Sequence, residues 1–293
     1  MAQDDKSPVR PSDRRTDQRI VGAAPAGARD EASAAKAVRD MFTSIAPRYD
    51  LLNHVLSMNI DRVWWNRTAR VFSEVLRRPD AQVLDLCCGT GDMTFALHRR
   101  LTTPTSAKSP QQTQKRRLPG TPTKAALVGG PMNFASTQIF GADFSHAMLV
   151  RAEQKSAGRN IGWVEADALN LPFATGQFQL VTAAFGFRNL ANYDRGLAEI
   201  YRVLAPQGEV GILDFGEPKG LIGKLYRVYF RRVLPAIGTL ISGVRGPYAY
   251  LPASVLRFPS PDQMLQRMRA AGFREVSWTP YTFGIAGLYR GKK

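Results

Sequence analysis

The sequence has little cysteine and little histidine, which limits the chemistry open to it. Its two cysteines, Cys87 and Cys88, are adjacent, so they form neither a disulfide framework nor a metal-spaced pair. The three histidines lie far apart, without a carboxylate or cysteine at the spacing of a metal site. We therefore expect no metal, and two buried thiols in a reducing cytoplasm.

Long apolar runs are also missing. The longest apolar stretch of low charge, Val233 to Val244, is too short to span a bilayer and contains Pro235. The first residues have no apolar run after a basic cluster, so they do not look like a secretory signal. We expect a soluble protein.

Acidic residues are absent from two long stretches. Residues 93–142 and 218–261 contain no Asp or Glu, and each contains seven Lys and Arg residues. These stretches hold most of the formal net charge of +16. Such a distribution indicates an anionic surface or polymer as a partner.

A third glycine is missing from the most informative motif, which runs from Val83 to Asp92 and contains Gly89 and Gly91. The dinucleotide fingerprint needs a glycine where this chain has Thr94, and a phosphate loop would need Gly-Lys-Ser/Thr. What remains is strand, glycine loop and helix, with Asp85 ending the apolar run. A carboxylate there suits a cationic ligand better than a phosphate. An ordinary strand-to-helix turn remains the plain alternative.

Strands alternate with helices along most of the chain. Beside the motif strand, the pattern predicts strands over 137–143, 161–168, 178–185, 209–215, 275–278 and 284–289. Helices are predicted from Asp30 to Ile45, from Asp61 as N-cap to Leu76, from Ser145, over 192–204 and over 261–271. This order predicts an α/β fold with a doubly wound, mostly parallel sheet and a ligand at the carboxyl ends of the strands.

Two segments look less ordered. Residues 1–30 lack periodicity and predict a disordered tail, and residues 101–136 read as a low-complexity surface insertion. The remaining chain, 31–293, forms one domain.

Several stretches resemble the C-methyltransferases of menaquinone and ubiquinone biosynthesis. They are Arg48 to Ser57 with Asp61 to Trp64, Phe185 to Asn189, Tyr201 to Leu204, Leu240 to Gly243 and Tyr250 to Val255. The resemblance implies a Rossmann-like class I methyltransferase fold with an antiparallel C-terminal strand and N-terminal helices. It also implies S-adenosylmethionine as methyl donor.

The resemblance assigns the cofactor site to residues that end strands or form the glycine loop. These are Thr90, Asp143, Asp167 and Ala168, and the glycine-loop pattern itself adds Asp85, Gly89 and Gly91. The carboxylate of Asp143 can accept both ribose hydroxyls, and that of Asp167 can accept from the adenine amino group. Each acid taken alone could also be a plain turn residue.

The implied acceptor is a polyprenyl hydroquinone, methylated on a ring carbon, with demethylmenaquinol the foremost candidate. An aromatic carbon becomes nucleophilic when a neighbouring hydroxyl ionises. Arg188 would favour the phenolate, Asn189 would position it and Tyr49 would close over it. A surface ion pair for Arg188 and simple packing for Tyr49 are the structural alternatives.

The sequence leaves other acceptors open, namely the benzoquinol precursor of ubiquinone and another lipophilic molecule such as a sterol or phospholipid. A nucleic-acid-binding protein is the alternative from another class. The basic segment 219–258 argues against it, because Lys224, Arg227 and Arg231 alternate with aromatics on an amphipathic helix predicted over 224–240. We expect a cytoplasmic enzyme that attaches peripherally to an anionic membrane surface, with no nucleic-acid partner. A homodimer is left open.

Overall fold

The computed structural model describes residues 20–50, 57, 59–101, 126–127, 138–156, 158–218, 220–229 and 247–293. Its helices are α1 (Glu31–Ile45), α2 (Ile60–Val71), α3 (Ser73–Leu76), α4 (Asp92–Leu101), α5 (His146–Ser156), α6 (Tyr193–Val203), α7 (Gly220–Val228), α8 (Pro247–Arg257) and α9 (Pro261–Ala270). Its strands are β1 (Val83–Leu86), β2 (Ala126–Leu127), β3 (Ile139–Asp143), β4 (Ile161–Glu165), β5 (Phe178–Ala184), β6 (Leu204–Phe215), β7 (Arg274–Tyr281) and β8 (Ala286–Lys292).

The strands form one sheet in the order β2-β4-β3-β1-β5-β6-β8-β7. The run from β4 to β6 is parallel, and β8 pairs antiparallel with β6. The chain passes from β1 to β3 on one side and later returns to β5 on the other. A switch point therefore lies at the carboxyl end of β1, where doubly wound folds bind ligands. This confirms the predicted fold class, including its antiparallel strand near the C-terminus.

Burial explains why the central strands are apolar throughout. Every residue of β1 and β3 is buried, as expected for parallel strands covered on both faces. Alternate residues point to opposite faces: Leu84 packs with α6 and α9 on one side, and Val83 packs with α2 and α4 on the other. The helix starts follow local chemistry, since Asp30 and Ser33 form a capping box at α1.

The structure corrects the predicted tail and one predicted cap. Residues 20–30 are not a disordered tail, because the Ala23 N–H donates to the Leu190 carbonyl at 2.7 Å and Ala23 is buried. A Cβ at Gly22 would lie 2.0 Å from that carbonyl oxygen, so close backbone packing fixes this segment. Asp61 is not an N-cap; Asn59 takes that position in a left-handed conformation, and Asp61 is buried in the first turn.

Two predicted segments fall partly outside the described residues. Within the proposed insertion, β2 pairs antiparallel with β4. Residues 102–125 and 128–137 lie outside the described part of the chain. Of the predicted helix over 224–240, the described part ends at Tyr229, and the side chain of Arg227 and all of Arg231 and Arg232 lie outside. Within the described ranges, no helix is long and apolar enough to cross a membrane.

Candidate active site

A cavity of about 630 Å³ opens at the carboxyl edge of the parallel strands. The loops after β1, β3, β4, β5 and β6 form its floor, and α2, α7 and the segment after α1 cover it. Every predicted site residue except Gly91 lines it. Gly91 instead packs inward: its φ is +88° and a Cβ would lie 2.7 Å from the Trp163 ring. Gly91 thus lets the turn pack against Trp163, and a contact of Gly91 with a cofactor stays a prediction.

The glycine loop is tied to the neighbouring strand end. The Gly89 N–H donates to Asp143 Oδ2 at 2.9 Å, and the Cys88 N–H donates to the Ala142 carbonyl at 3.1 Å. Cys87 and Gly89 both have positive φ, of 53° and 55°. Above Gly89 there is room, because the nearest atom to an added Cβ is Tyr49 Cε1 at 3.8 Å. A ligand can thus lie directly on this backbone.

Two acids at strand ends face the same cavity. Asp143 accepts from the Ser145 N–H at 2.9 Å as well as from Gly89, and burial raises its pKa to about 6. Asp167 accepts from the Leu169 N–H at 2.9 Å beside the buried Ala168. A carboxylate has about four lone-pair sites, so both acids keep capacity for ligand hydroxyl or amino groups.

Asp85 lies deeper, below the loop, and is completely buried. Its two oxygens accept from the hydroxyls of Thr94, at 2.6 Å, and Thr182, at 2.8 Å. Burial raises its pKa to about 7, against the lowering effect of these hydrogen bonds. The carboxyl group therefore has neutral donors, and a cationic ligand would favour its ionised form.

The sequence did not predict the polar cluster beside Thr90. The Lys155 ammonium lies 2.9 Å from Asp50 Oδ2, 2.9 Å from Asp92 Oδ1 and 3.1 Å from the Thr90 hydroxyl, which donates to Asp50. The cluster joins the glycine loop, α5 and the segment that carries Tyr49. No motif could have revealed it, because Lys155 and Asp50 are 105 residues apart.

The other half of the cavity is built around a buried ion pair. Arg188 Nη1 lies 2.8 Å from Asp214 Oδ1, and the Arg188 N–H donates to Asp214 Oδ2 at 3.1 Å. The guanidinium also donates to the Phe185 carbonyl and stands 5.0 Å above the Phe215 ring. Its Nε–H has no acceptor among the described residues. Neither Asp214 nor the pair was predicted; Arg188 is not a surface ion-pair partner.

Aromatic side chains line this half. The Phe185 ring lies 4.6 Å from the Phe215 ring and 5.6 Å from Trp64. Phe185 has a φ of +57°, which is strained for a residue with a Cβ and turns the chain at the end of β5. A flat, uncharged ring of similar size would suit these walls.

Three polar groups sit at the edge of this wall. The Tyr250 hydroxyl donates to Asn189 Oδ1 at 3.2 Å, and burial raises the pKa of Tyr250 to about 12, so it is neutral at pH 7. Tyr49 lines the cavity with its ring 6.0 Å from Phe42. No group of three His, Cys, Asp or Glu residues in the described part of the chain could hold a metal ion.

Fold and site together define a class of protein. The sheet is doubly wound and has an antiparallel strand beside β6. At its carboxyl edge lie a glycine loop with open space above it and acids after β3 and β4. This arrangement fits a ligand that joins a nucleoside to a cation. The protein is a class I S-adenosylmethionine-dependent methyltransferase.

Comparison with known proteins gives the family. The sequence profile of the ubiE/COQ5 methyltransferase family matches residues 29–293, and this chain belongs to that family. It is similar to demethylmenaquinone methyltransferase of Deinococcus radiodurans, with 43% identity, over 90% of this chain and 95% of that protein. It is 32% identical to the mitochondrial 2-methoxy-6-polyprenyl-1,4-benzoquinol methylase of Dictyostelium discoideum, over 87% and 81% of the two chains.

A solved structure shares the fold. It is a SAM-dependent methyltransferase from Thermotoga maritima, with a TM-score of 0.54 and 16% identity over 87% of this chain and 99% of that one.

Proposed function

We propose that this enzyme methylates a ring carbon of a polyprenyl hydroquinone, with demethylmenaquinol as the acceptor. The observation that carries the proposal is Arg188: a buried guanidinium with an unused Nε–H stands at an aromatic wall of the cavity. The relative with 43% identity is named for demethylmenaquinone, which supports the naphthoquinol.

The cofactor half would hold S-adenosylmethionine through the groups already described. Bound there, the cofactor supplies an electrophilic methyl group. Asp143 accepts the ribose hydroxyls, Asp167 accepts the adenine amino group and the Gly89 backbone lies against the amino acid part. Asp85 provides the negative charge below the loop that balances a cationic ligand.

The acceptor half would activate the ring. The Arg188 guanidinium would donate to a quinol oxygen and stabilise the negative charge that develops as the hydroxyl loses its proton. Its own charge is balanced by Asp214, so it acts as a fixed donor rather than as an unpaired cation. Asn189 positions the second oxygen, and Tyr49 excludes water between the two ligands.

An assay with purified protein tests this function directly. Labelled S-adenosylmethionine is offered with demethylmenaquinol, the benzoquinol precursor of ubiquinone, a sterol and a phospholipid in separate reactions. We expect label in the naphthoquinol ring, at a rate well above that for the other acceptors. Label only in the sterol or phospholipid would contradict the proposal.

Benzoquinol methylation is the second candidate. The 32% identity to the Dictyostelium discoideum benzoquinol methylase favours it specifically. Equal or faster transfer to the benzoquinol in the same assay would make it the main activity.

The substrate class also supports an attachment to the membrane. A polyprenyl tail resides in lipid, and residues 218–261 carry seven basic and no acidic residues. We propose that the enzyme docks on the anionic cytoplasmic leaflet through segment 219–258. Sedimentation with anionic vesicles tests this docking by comparing wild type with Arg227→Glu/Arg231→Glu/Arg232→Glu. Equal pelleting of the two proteins would reject the docking role of this segment. Light scattering tests whether the protein is a homodimer, which the sequence leaves open.

A further inference from the structure

The solvent-facing side of α2 is strongly basic. Arg62, Val63, Arg67 and Arg70 are exposed along it, whereas Asp61, the acid of this helix, is buried on the other side. Arg99 of α4 adds a cation, since it donates to Asn66 Oδ1 at 3.3 Å. The face thus carries several guanidinium groups and no carboxylate of its own.

An exposed apolar pair lies beside these cations. Val63 is 63% exposed and Phe283 is 77% exposed, which is unusual for large apolar side chains. The segments that carry them are joined, because Trp64 Nε1 donates to the Thr282 hydroxyl at 2.8 Å, and Val63 and Phe283 are each next in sequence to one partner of that bond. Phe283 has a φ of +57°, a strained conformation that persists only when the surroundings impose it.

The pair stands at the mouth of the cavity. Ile60 and Trp64 of α2 line the cavity, as does Ile285, two residues after Phe283. Val228 of α7 also lines it while remaining 53% exposed. A bilayer that covered Val63 and Phe283 would therefore lie close to residues that line the cavity.

We infer that Arg62, Val63, Arg67, Arg70 and Phe283 form a docking surface, called here the α2 surface, for an anionic lipid bilayer. The guanidinium groups pair with headgroups, and Val63 and Phe283 enter the interfacial layer. This surface differs from segment 219–258, and its link to catalysis rests on the proposed quinol methyltransfer. The exposed Val63 beside Phe283 and an apolar cavity favours lipid over nucleic acid, because nucleic acid would need successive aromatic rings along a basic groove and this surface has one. Glu217 is an exposed acid near Gly284. The attraction of the guanidinium groups to anionic headgroups must therefore exceed the repulsion from this carboxylate.

Vesicle sedimentation of the full-length protein tests the α2 surface. One variant is Val63→Ser/Phe283→Ser and another is Arg62→Glu/Arg70→Glu; Arg67 is kept, because its guanidinium stacks 4.1 Å from the Tyr281 ring centre. The matched charge control is Arg269→Glu/Arg274→Glu, on exposed positions of α9 and β7. Thermal melting confirms that each variant is folded.

Wild type should bind vesicles of phosphatidylcholine mixed with phosphatidylglycerol, and phosphatidylcholine alone only weakly. Each α2 surface variant should reduce binding to the mixed vesicles by about tenfold or more, and the charge control by less than about twofold. Wild-type binding in both variants, or an equal loss in the charge control, overturns the inference. Binding of wild type to duplex DNA but not to anionic vesicles also overturns it.

A second readout separates this inference from the proposed function. On a short-chain, water-soluble quinol all variants should turn over like wild type, while turnover of vesicle-embedded quinol falls in step with binding. If no quinol is methylated by any protein, the proposed function fails, yet the sedimentation result still decides the α2 surface.

Discussion

Two buried carboxylates stand at the carboxyl ends of nearby strands, and they are compensated differently. Asp85 at β1 receives neutral threonine hydroxyls, and burial raises its pKa to about 7. Asp214 at β6 accepts hydrogen bonds from the Arg188 guanidinium and from the backbone N–H groups of Arg188 and Phe215. Both side chains are withdrawn from solvent. The protein provides a positive partner for one charge and not for the other.

The difference matches the ligand that we propose for each half of the cavity. Near Asp85 the missing positive charge can come from a cationic cofactor, which then binds more tightly for that reason. Near Asp214 the charge is already balanced, so the aromatic wall can receive a neutral ring without burying a net charge. The following experiments test this contrast, from the largest expected effect to the smallest.

The largest effect is expected from Arg188→Ala, which leaves Asp214 buried without its cation. Breaking a buried pair in this way costs about 3–5 kcal/mol of unfolding free energy. Methyl transfer should fall at least about 100-fold, as when a preorganised donor to a developing oxyanion is lost. Urea unfolding and the quinol assay measure the two effects.

A double variant, Arg188→Met/Asp214→Asn, serves as the control. Removal of both charges should recover most of the stability, while activity stays lost and S-adenosylhomocysteine affinity stays near wild type. Activity in the double variant would show that Arg188 only holds the fold.

Asp85→Asn tests the uncompensated charge through pH. The folded-state pKa of about 7 lies above the unfolded value, so the folded protein binds more protons between about pH 4 and pH 7. Wild-type stability should therefore fall as pH rises through this window, by up to about 4 kcal/mol from this group. Urea unfolding at pH 5 and pH 8 should show a smaller decrease for the variant.

The same variant probes the cofactor charge. Asp85→Asn should weaken binding of the sulfonium S-adenosylmethionine more than binding of the thioether S-adenosylhomocysteine. Equal losses, or parallel pH slopes in wild type and variant, would mean that Asp85 carries no charge relevant to the ligand.

Asp143→Ala should weaken cofactor binding, because charge-assisted hydrogen bonds at ~1.5–3 kcal/mol each are lost. Since its pKa is raised to about 6, wild-type affinity should also decline as the pH falls below that value. Calorimetry at pH 5 and pH 7.5 measures both, with Asp143→Asn expected to show little pH dependence. Unchanged affinity would remove Asp143 from the site.

The smallest effect is expected from Lys155→Met, which leaves Asp50 and Asp92 without their shared cation. Because the Lys155 side chain is 32% exposed, the loss of stability should stay below about 1 kcal/mol. Repulsion between the two carboxylates should loosen the Tyr49 segment and weaken cofactor binding a few-fold. Lys36→Met breaks a more exposed pair with Asp40 and is the matched control. Equal effects would show that the cluster has no role at the loop.

Much of the cofactor half could be predicted from sequence, and less of the acceptor half. Glycine-loop geometry and strand-terminal acids depend on residues within a few positions, so Gly89, Asp143 and Asp167 were found where expected. The packing of Gly91 against Trp163 could not be predicted, because a motif does not show which distant side chain occupies the space beside it. The packing of residues 20–30 could not be predicted, because composition does not reveal that Gly22 packs against Leu190.

The sequence by itself determined the order of strands and helices, the glycine loop and the acids that follow the strands. These follow from hydrophobic periodicity and from backbone preferences, which act over a turn or a strand. Only the tertiary structure decided which groups share a charge or a bond: Asp85 with Thr182, 97 residues away, Lys155 with Asp50, 105 away, and Trp64 with Thr282, 218 away. The physical reason is burial, because sheet and helix packing bring distant groups together and remove the water that would otherwise solvate each one.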